Sequence, residues 1–370
     1  MKKISFKNFL IAVTVMLSLW SCQKGFEKSP VTSEEIATQL NFPKDLKDFE
    51  QVNLVGDNND FSPARVDASL INGWGVTFGA SGPAWVSSFG GGVAEVLRGD
   101  GSAAIPPVAI PTFGAAAGGH PTGVVSNGTT DFKLPNGNPA RFIFAQADGA
   151  ISGWNGGSAA VKMAGDTPGE LYLGIALAAD GANNFLYVAN FSENKIEVLD
   201  KNWEEVDKPF TDPDLPAGYS PWNIQNIDGK LYVMYAKQGT NPGEVVSSAP
   251  GNGFVDIYNP DGSFVKRFIS TGQLNAPWGI TKAPAGFWGE GTDTQDILLV
   301  GNFGDGHINA YNSDGVFQGQ LRAHGNPIKI ERLWGIAFAP ATSTAFDHNL
   351  LFFAAGPGNE QHGLFGFIKK

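Results

Sequence analysis

Apolar and polar residues alternate along most of this chain in short runs broken by Gly, Asn and Asp, the pattern of β-strands joined by tight turns. One segment recurs. It reads Gly73-Trp-Gly-Val-Thr-Phe78, then Pro121-Thr-Gly-Val-Val125, Leu173-Gly-Ile-Ala-Leu177, Pro221-Trp-Asn-Ile224, Pro277-Trp-Gly-Ile280 and Leu333-Trp-Gly-Ile-Ala-Phe338. Aligned on the glycine, or on Asn223 where it is replaced, the copies stand at 75, 123, 174, 223, 279 and 335. The spacing is about 50 residues, within the range of propeller repeats. Each copy is followed by a second apolar run, such as Phe185-Leu-Tyr-Val-Ala189 or Ile297-Leu-Leu-Val-Gly301, and then by a run of period two, such as Lys195-Ile-Glu-Val-Leu199. A weaker fourth run, such as Phe264 to Ile269, closes the unit, with Asp-Gly turns at 261–262 and 314–315.

Four antiparallel strands per unit and six units predict an all-β fold, a six-bladed β-propeller. A β-sandwich would place strands every 8 to 12 residues without a repeated tryptophan-glycine unit. The repeated glycine fits an innermost strand, where backbones converge on the axis and a side chain would collide. Trp74, Trp222, Trp278 and Trp334 are read as packing residues rather than ligand platforms. The sixth unit lacks a fourth strand, and Phe49 to Val55 can supply it, closing the ring between the two termini without a long free edge.

The N-terminal segment is different. Lys2, Lys3 and Lys7 precede an apolar run from Phe9 to Leu19, too short for a bilayer span and of the length of a signal-peptide core. Leu19-Trp-Ser-Cys22 resembles a bacterial lipobox, so residues 1–21 are expected to be a lipoprotein signal peptide and Cys22, the sole cysteine, a lipidation site. Residues 22–48 read as a polar tether with a short helix near Ser33 to Leu40, and 49–370 as the propeller. The lipobox and the absence of an aspartate after Cys22 point to the bacterial cell envelope, as an outer-membrane lipoprotein attached through Cys22.

The motifs Asn53-Leu-Val55, Phe210-Thr-Asp-Pro213, Pro221-Trp-Asn-Ile-Gln225, Leu274-Asn-Ala-Pro-Trp-Gly279, Leu299-Val-Gly-Asn-Phe-Gly-Asp-Gly306 and His362-Gly-Leu-Phe-Gly366 make residues 51–367 similar to an uncharacterised family of exported bacterial proteins. That family is related in form to NHL-type six-bladed propellers. The resemblance implies the fold and carries no activity with it. In the first unit Ser87-Ser-Phe-Gly-Gly91 departs from the Asp-Asn type of turn found elsewhere.

Net charge is −11, near −14 once the three leader lysines are removed, which argues against nucleic acid as a partner. A monomer is expected. Chemistry is expected at the face built by the loops between strands two and three: Ser88–Gly90, Gln146–Asp148, Asn190–Glu193, Ala236–Asn252, Asn302–Asp305 and Gly356–His362. Asn72, Asn223 and Asn275 approach the same face. Asn190, Asn223, Asn302, Asp305 and Glu360 supply hard oxygen ligands for one Ca2+, and Glu360 with His362 are the catalytic candidates. Against this, Asn and Asp in loops commonly hold their own turns. Asp256 and Asp261 read as surface and turn residues. The five histidines never lie within four residues of one another, and no nucleophile elbow, zinc motif or phosphate loop is present. The expected function is a lipid-anchored recognition module for a protein, peptide or glycan. The alternative is a calcium-dependent hydrolase of lactonase type with its site at the channel mouth.

Overall fold

All six copies of the repeated segment are β-strands in the computed structural model, which describes residues 46–370 except 81, 166 and 290–295. They run over Gly73–Phe78, Pro121–Ser126, Tyr172–Asp180, Tyr219–Ile227, Pro277–Lys282 and Leu333–Phe338, and each begins a separate antiparallel sheet. Each packs against the next, and the sixth packs against the first, so the sheets form a closed ring of six blades. Cys22, the leader and the helix expected near Ser33 lie outside the described residues.

The glycines make this ring possible. A Cβ on Gly75 would lie 2.6 Å from the Thr122 carbonyl oxygen, one on Gly123 2.8 Å from the Ile175 nitrogen, and one on Gly174 2.7 Å from the Asn223 Cα. Beyond the Asn223 position the series resumes: a Cβ on Gly279 would stand 2.8 Å from the Trp334 oxygen, and one on Gly335 2.6 Å from the Trp74 oxygen. Each glycine therefore faces the inner strand of the following blade. Asn223 takes the glycine's place in blade 4, where its Nδ2 donates to the Trp278 oxygen at 2.7 Å and its Oδ1 accepts from the Ile224 nitrogen at 2.8 Å. An amide thus replaces a bare contact. Pairing with the second strand slips at this point in every blade, for example between Gly73 and Val76 and between Leu333 and Ile336. Such a bulge re-aims a side chain.

Blade 3 has three strands, Tyr172–Asp180, Asn183–Asn190 and Lys195–Leu199. Its edge is met by a bridge from Leu199 to Glu205 and a bond from the Val206 nitrogen to the Val198 oxygen at 2.9 Å. Pro209, Pro213 and Pro216 follow and cannot donate to a ladder. Blade 6 is completed as the sequence predicts: Glu50–Gly56 runs antiparallel to Leu364–Lys369, from the Glu50–Lys369 pair to the Gly56–Leu364 pair. Phe49 is buried and stacks on Phe287 with centroids 5.0 Å apart.

A second sixfold position lies on the third strand. Glu95, Ser152, Glu197, Asp256 and Asn309 stand opposite Val86, Phe144, Val188, Val233 and Val300, and Gly366 stands opposite Phe353. All five polar residues are buried. Three of them reach a residue at or near the segment that leads into their own blade, and Asp256 is linked to it through Arg267. Glu95 meets the Ser69 hydroxyl at 2.7 Å, Glu197 accepts from the Tyr172 hydroxyl at 2.5 Å, and Asn309 donates to the Gln273 oxygen at 3.3 Å. Asp256 pairs with Arg267 at 2.5 Å, and Arg267 also pairs with Asp212. Asp256 is thus no surface residue: the wedge between blades encloses it, and the nearby Asp-Gly turn misleads. Asp261 does hold that turn, accepting from the Ser263 nitrogen and hydroxyl.

Glu95 carries a proton problem. The Ser69 hydroxyl lies 2.7 Å from both Glu95 Oε1 and Asp67 Oδ1, and Asp67 is itself paired with Arg65. One hydroxyl hydrogen cannot serve two carboxylates. A protonated Glu95 donating to Ser69, which donates to Asp67, gives that one hydroxyl a consistent donor and acceptor role. Burial agrees, pushing the Glu95 carboxyl up to about 7, with the Asp67 charge adding to the rise and the Ser69 bond opposing it.

Two outcomes are expected. Gly335→Ala forces a Cβ onto the Trp74 carbonyl and should cost about 2–3 kcal/mol or prevent folding, whereas Gly128→Ala, with nothing within 4 Å, should stay within about 0.5 kcal/mol. Denaturant midpoints check both. The unfolded chain releases the Glu95 proton near 4.5 and the folded chain keeps it to about 7, so stability should fall as pH rises through that window. Glu95→Gln should remove about 3 kcal/mol of that fall. Equal melting-temperature slopes for variant and wild type between pH 5 and pH 8 would refute this.

Candidate functional site

In the four blades that carry one, the inner-strand bulge turns a tryptophan toward the axis. Trp74 and Trp334 stack with centroids 3.4 Å apart, Trp222 lies 5.6 Å from Trp334, and Trp278 stands edge-on to Trp334 at 5.8 Å and 86°. All four are buried, so the channel is plugged by indoles. Trp334 Nε1 donates to Asn72 Oδ1 at 3.0 Å. Trp74, Trp222 and Trp278 have no hydrogen-bond acceptor for their indole nitrogens. Edge-to-face packing, in which a positive ring edge meets a negative ring face, is the compensation available to them.

A second aromatic tier sits above this plug. Phe89, Phe191 and Phe303 follow the second strands of blades 1, 3 and 5, and their nitrogens donate to Asn72, Leu171 and Ala276 oxygens at 3.1, 2.9 and 3.1 Å. The same bond in three blades brings three rings over the channel. In blade 2 the position is Ala147, bonded alike to the His120 oxygen at 3.0 Å, and the missing ring leaves room. The result is a cup of about 390 Å³ with Trp74, Trp222 and Trp334 among its lining residues. Val245 packs against the aromatic cluster, and Glu244 and Ser247 also line the cup, so the Ala236–Asn252 excursion forms a wall. The aromatic residues are packing residues, as the sequence predicts, and three of the tryptophans also line a cavity.

Polar chemistry enters from blade 6. Glu360, Arg332 and Asn72 line the cup together. Burial pushes the Glu360 carboxyl above the ordinary carboxylate range, with the Arg332 charge and the nearby Asn72 amide opposing the rise. Arg332 lies over the Phe303 ring at 4.7 Å and donates to Asn359 Oδ1 at 3.3 Å. Asn72, Arg332, Asn359 and Glu360 all have left-handed backbones, with φ of 50°, 52°, 54° and 68°. Each costs on the order of 1–3 kcal/mol in a residue with a Cβ. Bonds such as Glu360 nitrogen to Gly356 oxygen at 2.8 Å and Asn72 nitrogen to His362 oxygen at 3.1 Å hold them.

The residues expected to bind calcium have different surroundings. Asn190 donates to Glu197 Oε1 at 2.6 Å and accepts from Ser192 and the Glu193 nitrogen, and Asn223 links blades 4 and 5. Asn302 and Asp305 do meet, Nδ2 to Oδ1 at 3.1 Å, within one turn of blade 5 that also bonds the His307 nitrogen. Only Glu360 of the five lines the cup. Calcium takes six to eight oxygens. Among the described residues no group of three His, Cys, Asp or Glu is placed to hold a metal ion. His362 does not line the cup beside Glu360: its Nδ1 lies 2.9 Å from both Asp57 Oδ2 and Asn58 Nδ2, on the N-terminal side of the loop. Arg332 was not legible as a site residue. The phenylalanines had a signal, Ser88-Phe89-Gly90, Asn190-Phe191-Ser192 and Asn302-Phe303-Gly304 being one recurring motif.

No family model matches the chain. Among solved structures, virginiamycin B lyase from Staphylococcus aureus superposes with a TM-score of 0.50 at 14% identity, over 87% of this chain and 99% of its own. A streptogramin B lyase does so with a TM-score of 0.50 at 15% identity, over 87% and 97%. These likenesses establish the fold. Among curated proteins, R648 of Acanthamoeba polyphaga mimivirus is 33% identical over 341 residues, 86% of this chain and 80% of its own length. L690 of the same virus is 31% identical over 339 residues, covering 86% of each. These relatives are viral, whereas the motif resemblance was to exported bacterial proteins. At such identity and coverage, the chain belongs to the family of uncharacterised proteins that includes R648 and L690 of Acanthamoeba polyphaga mimivirus.

Proposed function

We propose that the protein takes a small, flat, ring-bearing molecule into the cup at the channel mouth and acts on it as an acid–base enzyme through Glu360. One observation carries this reading: a carboxyl raised by burial stands with a guanidinium in an aromatic-lined cavity of about 390 Å³. A perturbed titratable group in a concave apolar pocket is the usual mark of a ligand or catalytic site. A ring burying about 100 Å² against the indoles gains about 2.5 kcal/mol. Arg332 fixes an acidic or carbonyl edge of the ligand. Glu360, neutral over a wider pH range than an exposed carboxyl, gives or takes the proton. The inward turn of the Ala236–Asn252 excursion favours a small ligand over a protein or glycan partner, since it walls a cup instead of presenting a flat surface. That the same fold serves lyases elsewhere is compatible with this reading, although a fold hosts many functions. No step here is routed through calcium.

We propose also that Cys22 is lipidated and tethers the propeller to a membrane of the cell envelope. Intact-mass measurement of the mature chain should show an acylated Cys22 N-terminus, and an unmodified leader would refute it.

Titration calorimetry with naphthalene-2-carboxylate tests the cup. One site per chain is expected, with Trp222→Ala weakening it at least tenfold. As pH rises through the raised Glu360 ionisation, Glu360 adds its negative charge to those of Glu244 and the probe and affinity for the carboxylate should fall, while Glu360→Gln should flatten that dependence. Absence of binding by the wild-type chain, or an unaltered profile in Glu360→Gln, would overturn the assignment.

A further inference from the structure

The loop Gly356–His362 has two sides. On one, Glu360 lines the cup; on the other, His362 meets the segment that follows the N-terminal clasp strand. Asp57 stands just beyond that strand's end at Gly56, and its two carboxylate oxygens divide their work. Oδ1 accepts from the Gly363 nitrogen at 3.1 Å and Oδ2 from His362 Nδ1 at 2.9 Å. Its backbone nitrogen donates to the Gly363 oxygen at 3.3 Å. Phe61 backs the His362 ring at 6.0 Å, and Asn58 lies against the same ring nitrogen.

From His362 the connection runs inward. The His362 oxygen accepts from the Asn72 nitrogen at 3.1 Å, and its nitrogen donates to the Pro357 oxygen at 3.1 Å, closing the loop on itself. The Asn72 side chain accepts from Trp334 Nε1 at 3.0 Å and lines the cup with Glu360. Between the clip and the cup lie Asn359 and Glu360, whose left-handed backbones would relax if released. A strained loop needs restraint at both ends, and Asp57 supplies the outer one.

We infer that Asp57 is a positioning residue of the cup: by clipping Gly363 and His362 to the N-terminal segment, it fixes the loop that presents Glu360. The inference rests on the reading of the cup as a ligand site. It makes ring closure and site geometry one event, since the segment that completes blade 6 also sets the position of the carboxyl. Asn53 is the internal comparison. It lies on the same strand, and its Nδ2 donates to the Phe61 oxygen at 2.7 Å, so it steadies the N-terminal segment without touching the loop.

The test uses the full chain and three readouts: melting temperature, hydrogen exchange of residues 356–363, and calorimetric affinity for naphthalene-2-carboxylate. Asp57→Ala should speed exchange in the loop at least tenfold and weaken the probe at least fivefold. Asp57→Asn keeps an oxygen for the Gly363 nitrogen and should restore both to within threefold of wild type. Asn53→Ala should lower the melting temperature while leaving loop exchange and affinity unchanged. Should Asp57→Ala fail to fold, His362→Gln, which cuts one arm of the clip, should give smaller changes in the same direction. Wild-type exchange and affinity in Asp57→Ala, or an equal loss of affinity in Asn53→Ala, would overturn the inference. If the wild-type chain binds no probe, the cup reading falls, and loop exchange alone still decides whether Asp57 acts as a clip.

Discussion

Six inner strands can meet around one axis only if something is left out, and what is left out is a side chain. At five of six positions a bare Cα presses on the backbone of the next blade, and at the sixth the amide of Asn223 reaches across to the Trp278 oxygen. The tryptophan that precedes the glycine in four blades, including Asn223's own, cannot share that space. The bulge turns it toward the axis, where the indoles of neighbouring and opposite blades fill the channel. The cup follows from the ring's packing: a solid aromatic plug leaves a shallow, apolar chamber above it, and polar groups reach it only from loops. Hence the charged groups come in on loops, Arg332 and Glu360 from blade 6 and Glu244 from the Ala236–Asn252 excursion of blade 4.

The buried polar position on the third strand solves a different problem. Propeller blades are joined by segments that must cross from the rim of one sheet to the centre of the next, leaving polar backbone in a dry wedge. Side chains such as Glu95, Glu197, Asp256 and Asn309 meet those segments from inside. Burying charge is costly unless it is paired and fully bonded. The pairing differs from blade to blade, a hydroxyl relay in one, a tyrosine in another, an arginine between two aspartates in a third. One geometrical requirement is thus met by several chemistries, and the blades look less alike in sequence than in shape.

That contrast explains what could be read from the chain. The steric demand for glycine recurs with the blade, so blade number, inner strands and the closing strand at residues 50–56 were all legible. Destinations of single side chains were not. His362 and Glu360 are two residues apart, yet the left-handed turn at Asn359 and Glu360 sends them to opposite sides of the loop, a consequence of backbone conformation that composition does not encode. Asp256 resembles its neighbour Asp261 on paper, and only packing between blades separates a buried ion pair from a turn. Asn190 and Asn223, grouped with Glu360 by loop position, are hydrogen-bonded within the scaffold, a use that sequence position does not reveal.

Closure by pairing the first strand with the last has a consequence for biosynthesis. The strand at residues 50–56 leaves the ribosome about three hundred residues ahead of its partner at 364–369, an interval of roughly 15–60 s at ordinary elongation rates. Throughout it, an apolar edge waits without its ladder while blades 1 to 5 assemble behind it. Such an edge is what holdase chaperones recognise and what nascent neighbours on a polysome could capture, so productive yield depends on shielding the head of the chain until its tail has been made.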